Sequence, residues 1–220
     1  MRLIDELVAE HDLIDRVLES MRAFVDARIR GSADHSDGAG YIRFFRSFAG
    51  EFHHAREEDI LFAALVQKAE LPADRGPIAV MIADHARMAS LLDQMEPLFG
   101  ATELDPASLH RLQNLAVTYS HALWHHIDAE NSVLLPESRE RLRRHHVLEL
   151  PSRPLSEEEQ EARSCGEDLL VKYPPIHDAE ALRGDGCALC PAFGATCRGL
   201  EREWWNEWEW EEHEDHMPKD

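Results

Sequence analysis

Long apolar runs are missing from this chain. No stretch approaches the roughly 18 residues that a membrane-crossing helix requires, so nothing in it reads as a transmembrane segment. Sustained alternation of apolar and polar residues is missing too, which argues against sheet structure. Positive charge is scarce, with 23 Lys and Arg against 43 Asp and Glu and a formal net charge of −20. Such a surface repels nucleic acid and anionic membranes, so neither is expected as a partner. The opening MRLIDELVAEHDLI carries acids from its fifth position and has no secretory n-region or h-region, so a cytoplasmic location is the expectation.

What is present is enough chain, at 220 residues, for one good core and a smaller appendage. The charge is uneven. Residues 1–148 hold 24 acids and 16 Lys/Arg, whereas residues 149–220 hold 19 acids and 7 Lys/Arg in half the length. The change falls near Glu149, where LELPSRPLSEEEQEAR adds prolines and an acid run. A domain over 1–148 and an acidic extension over 149–220 follow.

The first 148 residues read as four helices. Leu3, Leu7, Ile14, Leu18, Met21 and Val25 keep one apolar stripe at spacings of three and four. The loop GSADHSDGAG separates them from a second helix over about 41–69, which stops before Leu71-Pro72. A third spans roughly 76–96, with Ile78, Met81, Met88, Leu92 and Met95 as its stripe and Pro97 at its end. Asp105-Pro106 caps a fourth, striped by Leu109, Leu112, Ala116, Tyr119, Leu123 and Val133, with a kink or end at Pro136. Four such stripes on short loops bury one another best as an all-α, up-down-up-down four-helix bundle, followed by a small irregular Cys-containing extension.

Each stripe has a polar gap. His11 fills the step from Leu7 to Ile14, and His85 the step from Met81 to Met88. His126 and Glu130 fill the step from Leu123 to Val133, and His53 and Glu57 interrupt the stripe of Phe45, Ala49 and Ile60. Each His-Glu pair has i,i+4 spacing, which stacks both side chains on one face about 6 Å apart. A lone histidine on an apolar face is commonly a hydrogen-bonded core residue. Six such groups, in register on four helices, are another matter, because burying two carboxylates without a cation costs several kcal/mol each. No Lys or Arg lies in these stripes. Four imidazoles and two carboxylates suit iron, manganese or zinc, and can hold two ions with the glutamates bridging.

The neighbours divide differently. On an α-helix His54 and Glu58 lie about 100° around from His53 and Glu57, as His125 does from His126, and His121 lies about 140° away. These four are expected to support the ligands by hydrogen bonds from a second layer. His35, His110, His145 and His146 fall in loops or on solvent faces.

A lone His in helix one, HHxxEExxLF in helix two, DH in helix three and HxxxExxxLLP in helix four resemble the hemerythrin-like, or HHE cation-binding, family over residues 1–140. The resemblance implies a carboxylate-bridged, non-haem di-iron centre. His11, His53, Glu57, His85, His126 and Glu130 would be its ligands, and Glu57 and Glu130 its bridges. One departure stands out. Oxygen-carrying hemerythrins take a fifth histidine from helix three, four residues from the first; here those positions are Met81 and Ala89. The site looks more like the four-His, two-Glu type of iron–sulfur repair proteins and iron-sensing relatives. Fewer ligands leave more open positions, which favours reaction with O2, peroxide or NO over reversible O2 carriage.

The extension carries Cys187-x2-Cys190-x6-Cys197, with Cys165 upstream. Four thiols in a cytoplasmic chain point to metal or redox chemistry before structural disulfides. Zinc or an iron–sulfur cluster, a redox disulfide, and free thiols are the alternatives. The tail LEREWWNEWEWEEHEDHMPKD places Trp204 and Trp208 on one helical face, fit to dock on the bundle or on a protein partner. Three functions follow: a small di-iron protein handling O2, peroxide or NO under stress, a sensor of iron, O2 or NO signalling through the extension, and a factor for iron delivery or cluster repair.

Overall fold

The stripes wind into helices, and among the residues described by the structure, a computed structural model covering 1–175, every regular element is helical. Helix α1 spans Arg2–Ile29. Helix α2 runs unbroken over residues 38–69, but its winding changes along its length. It is α-helical at Gly38–Arg43, π-helical at Phe44–His54 and Glu57–Phe62, and α-helical again at Ala63–Ala69. It ends as expected before Leu71-Pro72: Glu70 turns left-handed, and the Leu71 N–H closes on the Leu65 carbonyl at 3.1 Å.

Helix α3 covers Gly76–Phe99. Helix α4 runs over residues 106–144, with a π-helical segment at Glu130–Leu134 between α-helical Pro106–Ala129 and Leu135–Arg144. Two proline expectations change here. Pro97 sits inside α3, which continues to Phe99 because that ring is fully buried against Phe24 and Tyr41. Pro136 does not end α4, which continues to Arg144; it falls just after the π-helical segment Glu130–Leu134.

Neighbouring helices pack in a ring, α1 on α2, α2 on α3, α3 on α4 and α4 back on α1. This is the up-down-up-down bundle that the four stripes called for. Its core is not continuous. One apolar cluster gathers Ile14, Phe52, Met88 and Ile127 with the aromatic residues beyond them; the other gathers Leu7, Leu61, Met81 and Val133. Between the two lies the layer of polar gap residues. Among the described residues no helix is long and apolar enough to cross a membrane.

A fifth helix, α5 (Glu157–Lys172), follows the bundle and was not apparent from the acid run that contains it. Ser156 accepts from the Glu159 N–H and Glu159 accepts from the Ser156 N–H, a complete capping box. The helix lies on α1 and α2, adding Ala162, Leu169 and Leu170 to the aromatic cluster. Contact is close because Gly166 has no side chain: a Cβ there would stand 2.3 Å from the Phe44 ring. We expect Gly166→Leu to lift α5, to lower stability by about 1–3 kcal/mol and to speed proteolysis at the 149–156 connector. An unchanged denaturation midpoint would show that α5 is not clamped through this contact.

Candidate metal centre

All six gap residues converge. His11, His53, Glu57, His85, His126 and Glu130 are buried at the same level of the bundle, and both glutamates are 0 % exposed. His11 Nε2 lies 3.1 Å from Glu130 Oε2 and 3.8 Å from Glu57 Oε1. His53 Nε2 is 3.3 Å from Glu57 Oε1, His85 Nε2 is 3.5 Å from Glu57 Oε2, and His126 Nε2 is 3.4 Å from Glu130 Oε2. Together with His54, their donor atoms form two clusters of ion-binding size: His11, His53, Glu57 and Glu130 in one, and His54, Glu57, His85 and His126 in the other. Glu57 belongs to both.

The carboxylates of this layer lack hydrogen-bond donors. All four oxygens of Glu57 and Glu130, and His11 Nε2, are buried with no hydrogen-bond donor. His85 Nε2 and His126 Nε2 face each other at 3.0 Å, so a proton or a cation must keep their lone pairs apart. Burial works against ionisation of Glu57, yet the rings of His53, His85 and His54 hold its carboxyl well below the usual range. Burial likewise opposes charging of His53, but Glu57 and Glu10 push it up to about 10. Burial lowers His126 while Glu130 and Asp84 overcome that and raise it. Buried carboxylates without donors, faced by imidazole nitrogens, are the donor set of a transition-metal site.

The outward nitrogens are held in a circuit. His53 Nδ1–H donates to Glu10 at 2.8 Å, His85 Nδ1–H to Glu58 at 2.6 Å, and His11 Nδ1–H to the Asn131 side-chain oxygen at 2.8 Å. His126 Nδ1 faces Asp84 at 3.7 Å, an electrostatic contact beyond hydrogen-bond reach. Thus α1 supports the histidine of α2, α2 that of α3, α3 that of α4, and α4 that of α1. The supporting group adjoins a cluster residue of its own helix, before it on α1 and α3 (Glu10-His11, Asp84-His85) and after it on α2 and α4 (Glu57-Glu58, Glu130-Asn131). This alternation has a reason. One residue turns about 100° around a helix, and the sense reverses with chain direction, so a step back on an ascending helix matches a step forward on a descending one. Fixing Nδ1–H outward leaves each Nε2 lone pair pointing inward. Glu10 is anchored in turn by Arg56, which also binds Glu6, and Glu6 accepts from Ser152 of the connector to α5.

The supporting residues expected from sequence fare unevenly. Glu58 is in place on His85. His125 is half-buried and helps His126 hold Asp84 ionised against its burial. His121 does not reach the layer; it is exposed and tilted over Trp124 at 6.2 Å, because its extra turn-fraction carries it to the outer face of α4. His54 is inside rather than behind the cluster, because a π turn advances less per residue than the 100° assumed for an α-helix. Glu10, Asp84 and Asn131 were not foreseen, although an acid or amide beside each cluster residue was the available signal. Cys165 belongs to neither cluster; its half-buried thiol faces Gly40 from α5. Cys187, Cys190 and Cys197, with the Trp204 to Trp210 tail, lie outside the described residues.

We expect Glu58→Ala to free His85 to rotate and to weaken metal binding about 10–100-fold, read by chelator competition. Unchanged affinity would show that the stack of His85 on its neighbours orients it without Glu58. Residues 2–138 match the family model described as Hemerythrin HHE cation binding domain. No curated protein and no solved structure matches the chain.

Proposed function

The chain belongs to the hemerythrin HHE cation-binding family, and on that premise we propose that it is a non-haem di-iron protein that binds or reacts with O2, peroxide or NO. The observation that carries this reading is the pair of donor clusters sharing Glu57, in a layer whose four carboxylate oxygens are buried with no hydrogen-bond donor. In this reading His11, His53, Glu57, His85, His126 and Glu130 would hold two iron ions, with Glu57 shared between them. Iron bound there supplies one- and two-electron chemistry toward a small ligand. The chain's own part is to fix four ring nitrogens and two carboxylates in advance, and to exclude water with the apolar clusters on either side. Exclusion of water strengthens every interaction in the layer.

The test is anaerobic iron quantification with Mössbauer and UV–visible spectra before and after addition of O2, peroxide and NO. About two irons per chain and a spectral response to at least one of the three are expected. Zinc retained despite ample iron during expression would refute the reading.

One observation favours a sensing role for the same site. The path His53–Glu10–Arg56–Glu6–Ser152 links a ligand to the connector of α5, and Arg153 of that connector pairs with Glu159 of α5. Iron-loaded and iron-free protein should then differ in protease sensitivity around residues 149–156. Identical digestion patterns would leave only the ligand-handling reading.

A further inference from the structure

His54 is the one histidine of the layer left without an assigned task. It is buried, its donor atom lies within 4.8 Å of donor atoms of Glu57, His85 and His126, and its ring stacks on His85 at 3.9 Å with 10° between the planes. It stands 5.7 Å from the His126 ring, edge to face. We infer that His54 is a seventh protein ligand, so that the ion on the α3–α4 side is held by three imidazoles and the shared carboxylate. This deepens the di-iron reading and rests on it.

The geometry makes the two ions unlike. The cluster nearer α1 offers two imidazoles and two carboxylates, from His11, His53, Glu57 and Glu130; the other offers three imidazoles and Glu57 alone. Two of those three come from neighbouring helices through the His54–His85 stack, which sets the rings parallel with donor atoms within 4.8 Å of each other. A purely structural role predicts something else, a ring with a fixed hydrogen-bond partner in the protein or one replaceable by any flat apolar ring. Among the described residues no hydrogen bond to the His54 ring is seen, whereas His53 and His85 both have outward partners. The α-helical count hid this residue: with Glu57 three positions on and His53 one position back, only the wider π turn lets all three face the axis.

The experiment compares wild type with His54→Phe, which keeps a flat ring in the stack, and His54→Gly, which opens a space for free imidazole. Anaerobic Fe(II) and Co(II) titrations with a competing chelator read each ion separately, and the Co(II) bands report coordination. Wild type takes two ions; His54→Phe keeps one tightly and loses at least about tenfold in affinity for the other. Added imidazole restores the second ion in His54→Gly and does nothing for His54→Phe. His121→Ala, altered outside the layer, keeps both. A His54→Phe protein that binds two ions with wild-type affinity and Co(II) spectrum overturns the assignment while leaving the di-iron reading standing. Wild type that takes up no pair of ions overturns the di-iron reading itself, and the assignment with it.

Discussion

Glu57→Gln is expected to leave the protein with almost no bound iron. The reason is arithmetic of position: Glu57 alone contributes to both donor clusters, so one amide replaces a charged oxygen at each ion. His11→Ala and His85→Ala each touch one cluster and should each spare the other ion. An amide is nearly the same size as a carboxylate, so packing is retained and the loss is chemical. A ligand present at a thousand times its Kd stabilises a fold by about 4 kcal/mol. At about 2–4 °C per kcal/mol for a chain of this size, that is about 8–16 °C of melting temperature per ion. Thermal melts with and without Fe(II), under argon, should show that increment in wild type and none in Glu57→Gln. Two irons per chain in the variant would mean that the clusters are independent, and would remove Glu57 as the bridge.

Phe24→Ala should produce the largest loss of stability outside the polar layer, about 3–5 kcal/mol. The ring is fully buried and touches Tyr41 at 5.2 Å, Phe99 at 5.7 Å and Tyr173 at 5.2 Å between centroids. One side chain of α1 therefore joins α2, the end of α3 and the residue that follows α5. Removing it leaves a cavity between four segments, none of which can close it without parting from the others. The melting temperature should fall by about 6–20 °C. Iron per folded molecule should not change, because thirteen residues of helix set Phe24 about 20 Å from His11. A loss below about 1 kcal/mol would show that the aromatic cluster can collapse into the space.

The bundle was legible because each stripe repeats at helical spacing and fails only where a histidine or glutamate replaces an apolar residue. The gaps therefore mark six members of the layer. His54 was hidden by the assumption built into angular counting, that every residue turns 100°; the π winding of α2 breaks that assumption where the chemistry sits. Helix α5 was masked by its composition. SEEEQEAR reads as an acidic connector, although Ser156 followed by Glu159 is a helix start signal. Pro97 misled in the other direction, since burial of Phe99 outweighs what one proline costs in the last turn. Glu10, Asp84 and Asn131 act across helices, and a relation between helices is not written in any single stripe.

The division of the core by the polar layer bears on how the protein opens. The hydrogen bonds of the circuit run sideways, from helix to helix within the layer. They do not tie the apolar cluster around Leu7 to the one around Ile14; what crosses is the four helix backbones, the 149–156 connector and the pairing of Arg56, which lies over Phe52, with Glu6. Iron in the layer would weld the two into a single cooperative unit, and without it each half becomes a unit of opening in its own right. The Leu7 half contains Leu71 of the turn between α2 and α3 and Leu150 of the connector, and has Phe62 where the other half has a whole aromatic cluster. Hydrogen exchange on iron-free protein should therefore find this half opening first, which makes a transient loosening of that end the way an ion reaches a layer sealed from water.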